Sequence, residues 1–186
     1  MITGKQLREA FLGPGMKFYF DRKLALLANE EITARIEELL KYLNIAVHCN
    51  GDIPVSREID DVWHYWILET AEYERLCRKM YSGGFLHHSS RDYAAYADPD
   101  AKNRRVDLTF GVSILSSYVL NYGPFVPDRV KYWPLAVQLM EHLSWNLDQL
   151  NDWLSSVLPS AERELQVAPV PITAPAPKLD FATFRG

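Results

Sequence analysis

Apolar residues return every three or four positions along most of this chain, the mark of helices that each bury one face. Thr3 and Gln6 have the spacing of a capping box and predict a short first helix, which Gly13-Pro14-Gly15 ends. A second helix is predicted from about Asn29. It carries Ile32, Ile36, Leu39, Leu40, Leu43 and Val47 on its apolar face and stops at Asn50-Gly51-Asp52. Glu30, Glu31, Glu37 and Glu38 are expected to turn mostly to water. After the extended Ile53-Pro54-Val55, Ser56 is the expected N-cap of a helix whose Ile59, Val62, Trp63, Trp66 and Ile67 face the core. Gly83-Gly84 ends the helix after that, and Phe85 to Asp100 reads as an irregular loop. From about Arg105 to Tyr122 the pattern predicts another helix through Leu108, Val112, Leu115, Tyr118, Val119 and Tyr122, closed by Gly123-Pro124. Pro134 suits the first turn of a long last helix through Ala136, Met140, Leu143, Leu147, Leu150, Leu154 and Val157, ending at Pro159. Its other face holds Trp145 and Trp153, which read either as part of a wide buried face or as a partner groove.

Alternation of period two is confined to Met16–Phe20, so the predicted fold class is all-α, a compact multi-helix domain. The helical domain is expected over residues 1–166, with a short last helix around Ala161 to Gln166. Four prolines fall within residues 169–177, which prevents regular helix and predicts a Pro/Ala-rich, extended and flexible tail over residues 167–186. Its Leu179, Phe181 and Phe184 are apolar and read as contacts to the domain or to a partner.

A length of 186 residues, 48% of them hydrophobic, supports one domain with a substantial core. The net charge of -4 and the absence of Lys/Arg runs argue against nucleic acid and against anionic membrane surfaces as partners. No apolar run reaches the roughly 18 to 20 residues that span a bilayer, and charges interrupt the first 18 residues where a signal peptide would be apolar. A cytoplasmic protein is therefore expected. Two cysteines, Cys49 and Cys77, make no disulfide framework and read as buried thiols or ligands.

Chemistry concentrates between Asp60 and His88, where three of the five histidines and one of the two cysteines lie. His64, Cys77, His87 and His88 are the candidate metal ligands, with Asp60, Tyr73 and Trp63 in support. On one straight helix Cys77 would lie 13 residues beyond His64, about 20 Å along the axis and about 140° around it. A shared site therefore needs a break, and Thr70 offers one by capping a new helix with Glu72 and Glu74 in its first turns. In an extended segment His87 and His88 point to opposite sides, so one of them would reach a common centre. Asp60 and His64 are one turn apart, and a carboxylate there can hold one imidazole nitrogen while the other binds a metal or a proton. Cys77 with a nearby His could instead form a nucleophile pair. His48-Cys49 could complete a site or be an accident of adjacency. His-Glu-x-x-His, Glu-x-x-His, paired Cys-x-x-Cys, Gly-x-Ser-x-Gly and glycine-rich phosphate loops are all absent from the sequence.

Ile53-Pro54, then Ile59-Asp60-Asp61-Val62-Trp63-His64, Ile67-Leu68, Tyr73, Cys77 and Phe85-Leu86-His87-His88 resemble the glycine-rich domain-containing protein-like family. The resemblance runs over about residues 30–135, taking in Thr109 to Tyr122, Gly123 and Trp133. It implies a Trp-His pair followed by a Tyr, a Cys and a later His, and no particular reaction. It also implies a helix break, since Asp-Pro in the family stands where this chain has Glu69-Thr70. Trp66 takes the place of the family's second His, and the proline and alanine tail replaces the glycine-rich region. Three functions fit. The cluster holds a metal, zinc by its mixed N and S donors, or a polar network that pins the helices of a binding or scaffold domain. Alternatively it activates water or substrate in a metal- or His-dependent enzyme. In the third, a metal-free platform docks a protein partner through its tryptophans and tail.

Overall fold

Thr3 opens the first helix as its spacing with Gln6 predicts. Its hydroxyl accepts the Gln6 N–H at 3.2 Å while the Gln6 side chain accepts the Thr3 N–H at 2.8 Å, so two otherwise orphaned donors are satisfied. The structure, a computed structural model, describes residues 1–46, 54–80, 84–88 and 108–157. Among these residues the architecture is all-α, with helices α1 (Gly4–Phe11), α2 (Pro14–Lys23), α3 (Asn29–Ala46), α4 (Arg57–Leu68), α5 (Thr70–Met80), α6 (Leu108–Tyr122), α7 (Pro127–Val130), α8 (Pro134–Leu143) and α9 (Leu147–Val157). The expected ends at Asn50-Gly51-Asp52 and Gly83, His48-Cys49, the loop from residue 89 to 100, the helix around residues 161–166 and the tail lie outside the described residues. No helix among the described residues is long and apolar enough to cross a membrane.

The architecture is built around α3, which packs against α1, α2, α4 and α6. From Glu38 to Ile45 every residue of α3 is buried. This overturns the expectation that its glutamates face water: Glu30 is exposed, but Glu38 is 1% exposed and Glu37 is largely covered. Each carboxylate is taken up by donors from elements distant in sequence. Glu37 accepts from Arg8 Nε at 2.8 Å and Arg129 Nη2 at 3.2 Å, and Glu38 accepts from Trp133 Nε1 at 2.8 Å as well as from Lys41 Nζ at 2.7 Å. Tyr118 lies stacked on Phe125 with ring centroids 4.0 Å apart and edge-on to Trp133, closing α6 and the turn after it over α3.

Two further elements differ from the sequence pattern. Gly13-Pro14-Gly15 separates two helices rather than ending the first into a loop or strand: Gly13 precedes α2 and Pro14 is its first residue, where a missing N–H costs nothing. The alternation of Met16, Phe18 and Phe20 is coincidental, because Met16 and Phe20, one turn apart, are buried while Phe18 is 63% exposed. The long last helix is likewise two. Ser144 takes the left-handed conformation with φ 54°, and Asn146 and Gln149 exchange side-chain-to-backbone hydrogen bonds at 2.9 Å that open α9. Trp145 and Trp153 still meet, their ring centroids 5.4 Å apart and both half-buried against the core. Asn151 of α9 ties the assembly to the turn after α6, accepting from the Phe125 N–H at 2.8 Å and donating to its carbonyl at 2.9 Å.

Candidate functional site

Ser56 caps α4 by accepting the Ile59 N–H at 3.4 Å. The helix then turns Ile59, Val62, Trp63 and Trp66 into the core. Asp60 and His64, one turn apart, are left on the flank, with 34% and 49% of their side chains exposed. The helix breaks after Leu68. Glu69 leaves helical geometry with ψ 68°, its N–H reaching the Trp66 carbonyl at 3.1 Å and its own carbonyl accepting from Glu72 and Tyr73 at 2.9 Å. Glu69 is thus the hinge, and Thr70 is the first residue of α5 rather than its cap.

The break aims Tyr73 of α5 at Trp63 of α4. Trp63 Nε1 donates to the Tyr73 hydroxyl at 3.0 Å, and that hydroxyl donates to the Leu86 carbonyl at 2.7 Å. Burial holds the phenol's pKa well above its ordinary value, so it stays a protonated donor. Phe85 stands edge-on to Tyr73 at 5.3 Å. His88, farther along the same non-helical segment, lies edge-on to Trp63 at 4.4 Å and to His64 at 4.5 Å.

Asp60, His64 and His88 thereby meet. His88 Nε2 is 2.9 Å from Asp60 Oδ1, while His64 Nδ1 is 2.8 Å from the Asp60 carbonyl and 3.4 Å from Oδ2. One ligand atom from each of the three residues lies within 4.8 Å of the others. Oxygen acceptors face His64 Nδ1 and His88 Nε2, so in the neutral rings these nitrogens carry the protons and the opposite nitrogens keep their lone pairs. Such a group can share protons between two imidazoles and a carboxylate, or exchange those protons for a cation.

The remaining candidates lie apart from this group. Cys77 is buried in the core at 4% exposure, its thiol beside the Tyr73 phenol. His87 is exposed and packs against Phe85 at 5.0 Å. Trp66 points away from the site, edge-on to Phe20 at 5.3 Å, and is buried in the core.

A second polar cluster escaped the sequence reading. Lys41 Nζ bonds both Glu38 Oε1 and, at 2.9 Å, the Tyr118 hydroxyl, and it also lies over the Tyr118 and Tyr122 rings at 4.9 and 5.6 Å. Asn44 Nδ2 donates to the Tyr122 hydroxyl at 2.6 Å. Burial raises the pKa of both phenols, and the Glu38 carboxylate adds to it. The available signal was Glu38, Lys41 and Asn44 at intervals of three inside an apolar helix, facing Tyr118 and Tyr122 one turn apart on α6. Comparison with protein-family models, curated proteins and solved structures gave no match.

Proposed function

We propose that this protein is a helical binding module in which Asp60, His64 and His88 take a divalent metal ion that fastens residues 84–88 to α4. The observation that carries the reading is the approach of the three ligand atoms to within 4.8 Å of one another. Bonds of about 2.1 Å from one ion hold neighbouring ligand atoms about 3.0 to 3.4 Å apart. His88 Nε2 stands 2.9 Å from Asp60 Oδ1 and His64 Nδ1 3.4 Å from Oδ2, distances already of that size. An ion here would take the place of the protons on these two nitrogens, which would move to the opposite ring nitrogens or to solvent. Imidazole and carboxylate donors suit zinc, and the resemblance noted above spans all three residues.

Zinc titrated into chelator-treated protein is expected to bind at one ion per chain. At a hundredfold excess over Kd it adds about 2.7 kcal/mol of stability. For a chain of this size that raises Tm by about 5 to 10 °C. His88→Ala should abolish both effects. Calorimetry showing no binding, together with an unchanged Tm, would sink the proposal.

One observation favours a second reading. Three ligands leave a zinc position open, and the half-exposed His64 sets that position near solvent. A metal-bound water there would be a nucleophile for hydrolysis. Zinc-dependent cleavage of an activated ester, lost in His64→Ala, is the expected sign. Rates equal to those of the variant would leave the binding module alone.

A further inference from the structure

Asp60 and His64 share a helix, so α4 alone fixes their relation. His88 has no such support, since it lies on a non-helical segment 24 residues after His64. Its position depends on what holds residues 84–88. Among the described residues, the Tyr73 hydroxyl holds that backbone, donating to the Leu86 carbonyl at 2.7 Å.

We infer that Tyr73 is the positioning residue of this site, holding the Leu86 carbonyl so that His88 meets Asp60. The inference rests on the metal-binding reading for its functional meaning and on hydrogen bonding for its geometry. A phenol has a single proton to give. Trp63 Nε1 can only donate, and at 3.0 Å it occupies an acceptor direction of the hydroxyl. The proton is therefore left for the Leu86 carbonyl, two residues before His88. Trp63 acts on both ends of this link, because its ring also receives the edge of His88 at 4.4 Å. Phe85, in the same segment, stands edge-on to Tyr73 at 5.3 Å and adds a second contact between the two. Tyr73 touches none of the three ligand atoms in this arrangement and acts through the backbone of residues 86–88.

The test compares Tyr73→Phe with Tyr122→Phe in the full chain, using zinc as the probe. Both changes delete a buried, hydrogen-bonded phenol hydroxyl, but Tyr122 bonds Asn44 and has no link to residues 84–88. Zinc affinity is expected to fall about tenfold or more in Tyr73→Phe, the loss usual for removing a group that orients a ligand. It should remain within about twofold of the parent in Tyr122→Phe. Imidazole nitrogen resonances read the geometry without metal: the hydrogen-bonded signature of His88 Nε2 should be lost in Tyr73→Phe and kept in Tyr122→Phe. Should Tyr73→Phe fail to fold, fluorotyrosine at position 73, whose hydroxyl is a stronger donor, is expected to shift the same resonance, and fluorotyrosine at position 122 to leave it unchanged. Equal losses of affinity in the two tyrosine variants would overturn the inference, as would an unchanged His88 resonance. If the parent chain binds no zinc, the metal reading fails, and the metal-free resonances still decide the role of Tyr73.

Discussion

A carboxylate buried to 1% exposure has to have its lone pairs taken up, and Glu38 meets that demand with Lys41 Nζ and Trp133 Nε1. Removing one side of such a pair strands the other in the core. Glu38→Ala is expected to lose about 3 to 5 kcal/mol in urea unfolding, and Lys41→Met a comparable amount. Because the two act on one interaction, the double variant should lose clearly less than the sum of the singles. Gly4 offers a finer test. A methyl group there would stand 2.6 Å from Glu37 Oε2, and that carboxylate is pinned by Arg8 and Arg129. Gly4→Ala should therefore destabilise by about 1 kcal/mol, against the preference of an isolated helix for alanine, with the urea midpoint as the measure. The burial of Glu37 and Glu38 is not legible in the sequence because periodicity locates the apolar stripe of α3 but not the number of neighbours around it. Four helices wrap α3, and they bury its polar flank along with the stripe.

Between elements, Glu31 is the joint that ties α3 to the approach of α8. Its carboxylate accepts from Tyr132 at 2.7 Å, Arg35 at 2.8 Å and Lys131 at 3.3 Å. Burial alone would raise its pKa, but these donors outweigh burial and hold it at about 2, below the ordinary 4.5. With the folded pKa depressed, the stabilisation is fully present above about pH 4.5 and is lost as the pH falls towards 2. Discounted for solvent screening, it amounts to about 1 kcal/mol. Glu31→Gln should thus unfold at lower urea than the parent at pH 7, with the gap closing progressively below pH 4.5. The elements themselves were legible where one face alternates cleanly, as in α4, whose cap at Ser56 and core face of Ile59, Val62, Trp63 and Trp66 stand as the spacing predicts. The pattern failed at α8 and α9 because Leu143 and Leu147 stand four residues apart in the sequence, the spacing of one continuous helical turn, although the chain breaks between them. The Asn146–Gln149 exchange that opens α9 was present in the sequence, overshadowed by the uninterrupted leucines.

Across the whole molecule, the candidate site draws two side chains from α4 and the third from a segment that follows α5. Helix geometry made a break between His64 and Cys77 the condition for their sharing a site, and Thr70 marked where it could fall. The chain does break, at Glu69, but the residue that joins His64 is His88 and not Cys77. That His88 rather than His87 meets Asp60 depends on the hydrogen bond at Leu86, which no pattern of residues encodes. On an unbroken helix Trp63 and Tyr73 would stand about 15 Å apart along the axis. Instead the single non-helical residue between α4 and α5 brings indole and phenol to 3.0 Å. This part of the chain is consequently keyed to its length rather than to the identity of its joint. Glu69, Thr70 and Ala71 are exposed, and the turn is held through the backbone N–H and carbonyl of Glu69. One residue inserted beside Glu69 has no loop to absorb it and would swing α5 by about 100°, carrying Tyr73 off Leu86.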